Sequence, residues 1–85
     1  MENDTTRQAL PYEVVRQLAQ AAGAVECFWR ISDRAFSGCV AEIWFKELRT
    51  AGEFALACSD RIGVNCKVRV TSEGPTNFYV SVPCL

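Results

Sequence analysis

Residues 38–63, GCVAEIWFKELRTAGEFALACSDRIG, decide the fold. In the second half, apolar residues recur every three or four positions, which is the spacing of one helix face. Thr50 and Glu53 form a T-x-x-E capping box that predicts the helix start, and Gly63 predicts its end in a left-handed turn. The apolar face of this helix consists of Ala51, Phe54, Ala55, Cys58 and Ile62.

In the first half of the stretch, residues 39–46 have the two-residue periodicity of a strand, in which successive side chains lie on opposite faces. A helix over 39–49 also fits, because several apolar residues recur there at helical spacing. The aromatic and β-branched content favours the strand. One predicted strand face carries Ala41, Ile43 and Phe45, and the other carries Val40, Glu42, Trp44 and Lys46.

The remaining elements are predicted from the same two periodicities and from turn residues. Pro11 suits the first position of a helix, and Gly23 suits its end. The clearest alternation is VNCKVRVT, with its valines and Cys66 turned inward. Pro83 predicts that the last strand ends there or lies at an edge. The predicted elements are a helix over 11–22 and strands over 25–32, 64–71 and 77–83, with turns at 33–38 and 72–76.

The predicted order is α-β-β-α-β-β, which places the chain in the α+β class. Amphipathic helices must bury their apolar faces, so both are expected on one face of a four-stranded sheet in a two-layer domain. Residues 1–8 lack any period and are predicted to be a flexible segment. Residues 9–85 form the single predicted domain, since 85 residues suffice for one core.

The composition narrows the classes of function. Hydrophobic residues make up 49% of the chain and charged residues 22%, as in an ordinary globular domain. Nine Lys and Arg against ten Asp and Glu give a net charge of -1, so the sequence predicts no duplex nucleic-acid binding. The absence of a secretory signal or an apolar run near ~20 residues predicts a cytoplasmic protein with no membrane partner.

The five cysteines are interpreted as reduced core residues. Their number is odd, and the sequence contains no C-x-x-C pair that would indicate a metal or redox site. Several of these cysteines lie on the apolar face of their predicted helix or strand, where a thiol acts as a small hydrophobic group. Cys84 is the exception, since its position near the end of the sequence predicts an exposed, oxidisable thiol.

Catalytic motifs are absent from the sequence. It contains no histidine, the usual general base, and no glycine-rich phosphate loop or metal-ligand spacing. The chain is therefore predicted to be non-enzymatic, with no catalytic residue, metal or cofactor.

The candidate site is the sheet face that the helices leave uncovered, called here the open face. Its strand phases predict exposed aromatic rings surrounded by charged side chains, a combination typical of protein-binding surfaces. The predicted partner-binding residues are Phe28, Arg30, Glu42, Trp44, Lys67, Arg69 and Tyr79.

Two alternatives to this surface stay open. An error of one residue in the phase of a strand would bury Trp44 and expose Ile43 instead. A second copy of the chain could also cover the open face in a homodimer, which needs only a self-complementary patch.

The chain also resembles a class of known proteins. With ECFWRIS and AEIWFKELRTAGEFALACSDRIG arranged around a small sheet, it is similar in size and layout to the accessory proteins of phages and mobile elements, among them the anti-CRISPR inhibitors. This resemblance implies a larger partner, either a protein or a ribonucleoprotein complex such as a CRISPR effector, whose target recognition the chain would block.

Two other functions fit the same residues. Bases of a single-stranded nucleic acid could stack on Phe28, Trp44 and Tyr79 while Lys67 and Arg69 bind phosphates. A homodimeric structural protein would instead bury the open face or the edge near Tyr79 between copies.

Overall fold

A computed structural model describes residues 10–31, 39–63 and 65–84. Within these ranges, two helices and four strands follow one another in the predicted order, and the α+β class is confirmed. The predicted N-terminal segment 1–8 and the turn at 33–38 lie outside the described residues. The elements are α1 (Tyr12–Ala21), β1 (Glu26–Ile31), β2 (Cys39–Phe45), α2 (Leu48–Ile62), β3 (Val68–Val70) and β4 (Phe78–Cys84).

The four strands form one sheet in the order β1-β2-β4-β3, and each neighbouring pair is antiparallel. Because β2 and β3 are both antiparallel to β4, they run parallel to each other with β4 between them. Helix α2 connects these two parallel strands. Ile43 marks the centre of the sheet, lying opposite Cys27 on β1 and Val80 on β4.

The core lies between the two helices and one face of the sheet. The predicted apolar face of α2 is confirmed, since all five of its residues are buried. Phe54 of this helix contacts Phe45 of β2, with their ring centroids 5.3 Å apart. From α1, the residues Val15 and Ala19 complete the cluster.

Residues 39–45 form a strand, so the helical alternative for this segment is wrong. Ala41, Ile43 and Phe45 are all fully buried against the helices, as their phase predicts. Helix α1 follows its predicted bounds within one residue, with Pro11 at the N-cap position and Gly23 at a φ of 93° after its end.

The predicted capping box does not form. Helix α2 begins at Leu48, because the Glu47 carbonyl already accepts the Ala51 N–H at 3.2 Å. Thr50 therefore lies inside the first turn, where its hydroxyl donates to the same Glu47 carbonyl at 3.0 Å. The predicted end is confirmed, since Gly63 adopts a φ of 72°.

Strand β3 is much shorter than its sequence pattern predicts. Only Val68–Val70 pair with β4, and Val64 lies outside the described residues. Before β3 the chain binds α2 instead, since the Cys66 N–H donates to the Ser59 hydroxyl oxygen at 2.7 Å. Val70, predicted to face inward, is exposed.

Strand β4 continues past Pro83, which lies opposite Val40 of β2. The prediction that the strand ends at Pro83 is therefore wrong. On its other side, β4 pairs with β3 only along 78–80. Pro83 thus lies where β4 lacks a β3 neighbour, and a proline is tolerated at such an edge position.

Cys84 is fully buried, so the prediction of an exposed thiol is wrong. Its carbonyl accepts a hydrogen bond from the Cys39 thiol at 2.7 Å, directly across the β2–β4 pair. Burial raises the pKa of Cys84 to about 12 and that of Cys58 to about 12 as well. Both thiols are therefore held protonated by the core.

These buried thiols predict a loss of stability at alkaline pH. A pKa raised in the folded state means that the contribution of Cys58 is fully present below the unfolded pKa near 9 and is lost as pH rises towards about 12. We expect the free energy of unfolding to fall over this interval when measured by urea titration. The C58A variant should show a shallower fall, and an equally steep one would mean that this thiol is not buried in the native protein.

None of the helices in the described part of the chain is long and apolar enough to cross a lipid bilayer.

Candidate protein-binding surface

The open face is the sheet surface opposite the two helices. Cross-strand register places its residues in three rows that begin at β1, two of which end at β4 and one of which reaches β3. One row contains Phe28, Glu42 and Ser81, and its neighbour contains Arg30, Val40 and Pro83. A third row consists of Glu26, Trp44, Tyr79 and Arg69.

Trp44 is only 7% exposed, so its predicted role as an exposed anchor is contradicted. Trp44 does lie on the predicted face of the sheet, because it is opposite Tyr79 and outside the helix-covered core. The alternative that exposes Ile43 is also wrong, since Ile43 is fully buried. Trp44 is buried because Gly74, in the connection between β3 and β4, lies against its ring.

Three contacts define the environment of the Trp44 indole. Its ring stacks on Tyr79, with centroids 4.5 Å apart and an interplanar angle of 26°. Gly74 lies so close that an added β-carbon would overlap the indole atoms Cζ3 and Cη2. The indole Nε1 is buried, and among the residues that the structure describes none accepts a hydrogen bond from it. In this conformation the ring has no room for a nucleic-acid base, which removes the central member of the predicted stacking platform.

Phe28 and Arg30 remain accessible on the open face of β1. Phe28 is 45% exposed and has Glu42 opposite it on β2. The Arg30 guanidinium lies 3.2 Å from the Glu42 carboxylate. The Arg30 side chain is 64% exposed, so this ion pair contributes little stability. It holds the guanidinium against Glu42, the residue that lies opposite Phe28.

The other predicted residues lie across the sheet from β1. Arg69 is exposed on β3 opposite Tyr79, which is half-buried. Lys67 is exposed but precedes β3, so it is not a strand residue as predicted. The structure therefore brings Phe28, Arg30 and Glu42 together on β1 and β2. Of the other predicted residues, Tyr79 and Arg69 lie in the row of Trp44.

The sequence prediction missed exposed apolar side chains on the opposite face of β1. Trp29 is 50% exposed and Ile31 is 73% exposed, although both share their face with the partly buried Cys27. Alternation assigns the face correctly but does not show how far the helices extend over an edge strand. The available signal was the strand sequence ECFWRI, which carries large apolar residues on both faces.

A groove between α1 and α2 was also missed. It has a volume of about 410 Å³ and an apolar floor that includes Leu18 and Phe54, with Glu53 and Arg61 at its rim. Among the residues that the structure describes, no three His, Cys, Asp or Glu side chains lie close enough to hold a metal ion.

Comparison of the chain with protein-family models, with curated proteins and with solved structures gives no match. The interpretation of this surface therefore depends on its own geometry.

Proposed function

We propose that the chain is a cytoplasmic, non-catalytic protein-binding module that contacts a larger partner through the open face at β1. The observation that carries the proposal is the exposed Phe28 ring beside the Arg30–Glu42 pair. Aromatic and arginine side chains supply most of the binding energy at protein interfaces, particularly where they lie together.

The rest of the open face supports a contact that extends beyond β1. Val40 and Pro83 are half-buried in the row of Arg30, so they add apolar area without charge. Trp44 is not a contact residue in this proposal, because its ring is already buried by Tyr79 and Gly74. It serves instead to hold the connection between β3 and β4 against the sheet.

The partner class that we propose is a ribonucleoprotein defence complex such as a CRISPR effector, which the chain would inhibit as phage proteins of the anti-CRISPR type do. This assignment is supported by the size and layout of the chain and by its near-neutral charge of -1, which favours protein contacts over nucleic-acid contacts. No functional residue is transferred from that class.

The proposal is tested by adding the purified chain to purified CRISPR effector complexes loaded with guide RNA and measuring cleavage of target DNA. We expect inhibition of at least one complex at near-stoichiometric amounts. The F28A variant should bind that complex at least about tenfold more weakly, as expected when an interface anchor is truncated.

Leu56 provides the matched control, because it is an exposed apolar residue on α2, away from the open face. L56A should inhibit as well as the unmodified chain. If L56A loses inhibition and F28A does not, the proposed surface is wrong. If no complex is inhibited, the anti-CRISPR assignment is wrong.

A further inference from the structure

Strand β1 forms one outer edge of the sheet. Its inner side pairs with β2 along all six residues, and no strand within 10–31, 39–63 and 65–84 pairs with its outer side. An edge strand of this kind offers backbone N–H and C=O groups to another strand. Natural edges are often protected by proline or by charged residues, lysine above all. The sequence ECFWRI contains neither lysine nor proline, and its two charged residues, Glu26 and Arg30, have opposite signs.

The sequence of β1 is complementary to itself in one antiparallel register. If a two-fold axis passes through Phe28, Glu26 of each strand lies opposite Arg30 of the second copy, so the dimer contains two such pairs. Both of these residues lie on the open face and both are exposed. Opposite charges facing each other across antiparallel strands stabilise the pair.

The apolar residues match in the same register. On the open face, Phe28 lies opposite Phe28 of the second copy. On the other face Trp29 lies opposite Cys27, and Ile31 lies opposite Val25, so each exposed apolar residue on or beside β1 meets an apolar residue. Shifting the axis to Trp29 would instead place Phe28 opposite Arg30 and remove both ion pairs.

We propose that the partner of the β1 edge is β1 of a second copy, in an antiparallel homodimer centred on Phe28. Pairing joins the two sheets into one continuous eight-stranded sheet and removes the exposed edge. The contact of Arg30 with Glu42 in its own chain is compatible with this dimer, because a guanidinium has five N–H donors and can bind two carboxylates.

The dimer has a consequence for the open face. The two Phe28 residues become neighbours at the two-fold axis, so a single aromatic patch with arginines on both sides replaces two separate ones. The dimer interface and the proposed partner surface share Phe28 and Arg30, whereas the backbone edge of β1 belongs to the dimer interface alone.

The test is a charge exchange measured by light scattering over a range of concentrations. The unmodified chain should have twice the mass of one chain. E26R and R30E should each raise the dimer dissociation constant by about tenfold or more, because each places like charges opposite one another at two positions. An equimolar mixture of the two variants should form a mixed dimer. The double variant E26R/R30E restores opposite charges across the interface but loses the contact of Arg30 with Glu42 within the chain, so it should dimerise more tightly than either single variant.

The control is R69E, which makes the same change of charge on β3 at the other edge of the sheet. It should leave the dissociation constant unchanged. The F28C variant tests the register without a change of charge, because it should form a disulfide between the two copies on mild oxidation. The L56C variant, with its new cysteine on α2, should not. A circular dichroism melt of each variant establishes that it is folded.

A single-chain mass at every concentration would overturn the homodimer, as would a dimer that neither charge variant weakens. These results are separate from those of the proposed function. A monomeric chain that still inhibits an effector complex refutes the dimer alone, and a dimer that inhibits none refutes the anti-CRISPR assignment alone.

Discussion

Replacing Phe45 by alanine should lower the free energy of unfolding by about 3–5 kcal/mol. Phe45 is fully buried at the end of β2 and contacts Phe54 of α2, so it connects the sheet to the helix layer. Truncation leaves a cavity that the surrounding elements fill only in part. For 85 residues the whole stability is on the order of 4–13 kcal/mol, so this one change should consume much of it. Urea unfolding followed by circular dichroism measures the loss.

The matched comparison is F28A, the same substitution at a half-exposed site on β1. Measured at concentrations below the dimer dissociation constant, its effect on stability should stay within about 0.5 kcal/mol, because the Phe28 ring is 45% exposed within one chain. A large loss for F28A together with a small one for F45A would mean that β1 and β2 present the opposite faces to the helices.

Replacing Gly74 by alanine should destabilise the protein by about 1–3 kcal/mol, the usual effect of adding atoms to a filled site. The new methyl group would overlap the Trp44 indole, whose position is also fixed by its stack on Tyr79. The connection between β3 and β4 must then lift, and water reaches the indole. Tryptophan fluorescence should shift to longer wavelength, measured with W29F so that only Trp44 emits.

Gly52 supplies an internal control for this prediction. It lies inside α2, and a β-carbon there would meet no atom within 4 Å. G52A should therefore stabilise the protein by about 0.5–1 kcal/mol, since glycine is less favourable than alanine within a helix. The two Gly-to-Ala changes should have opposite signs, and a neutral G74A with unchanged emission would show that Gly74 does not rest on Trp44.

The parts of the fold that follow from local periodicity could be predicted from the sequence. The apolar face of α2 and the inward residues of β2 are both correct, because each pattern is long enough to define one buried side. The class and order of elements follow from them. The order of strands in the sheet does not, since periodicity contains no information about which strands pair.

The errors arise where contacts between elements override a local pattern. The residues before β3 alternate well but bind Ser59 on α2 instead of β4. Thr50 and Glu53 have the spacing of a capping box, yet helical hydrogen bonds begin at Glu47. In both cases the sequence motif is present and a competing hydrogen bond determines the result.

The candidate site shows the same limit. The strand phases placed Phe28, Arg30, Glu42 and Trp44 correctly on the face opposite the helices. They did not predict that Gly74 would cover Trp44, because the close approach of a connection has no periodic signal. They also did not predict how much of Trp29 the helices would leave exposed.

The position of β4 determines when this sheet can assemble during synthesis. Residues 78–84 emerge from the ribosome after the other three strands, yet they lie between β2 and β3. Until they emerge, β3 has no strand beside it, and the inner edge of β2 is unpaired. The sheet therefore cannot be completed strand by strand in chain order, and residues 39–45 must avoid aggregation until β4 has emerged.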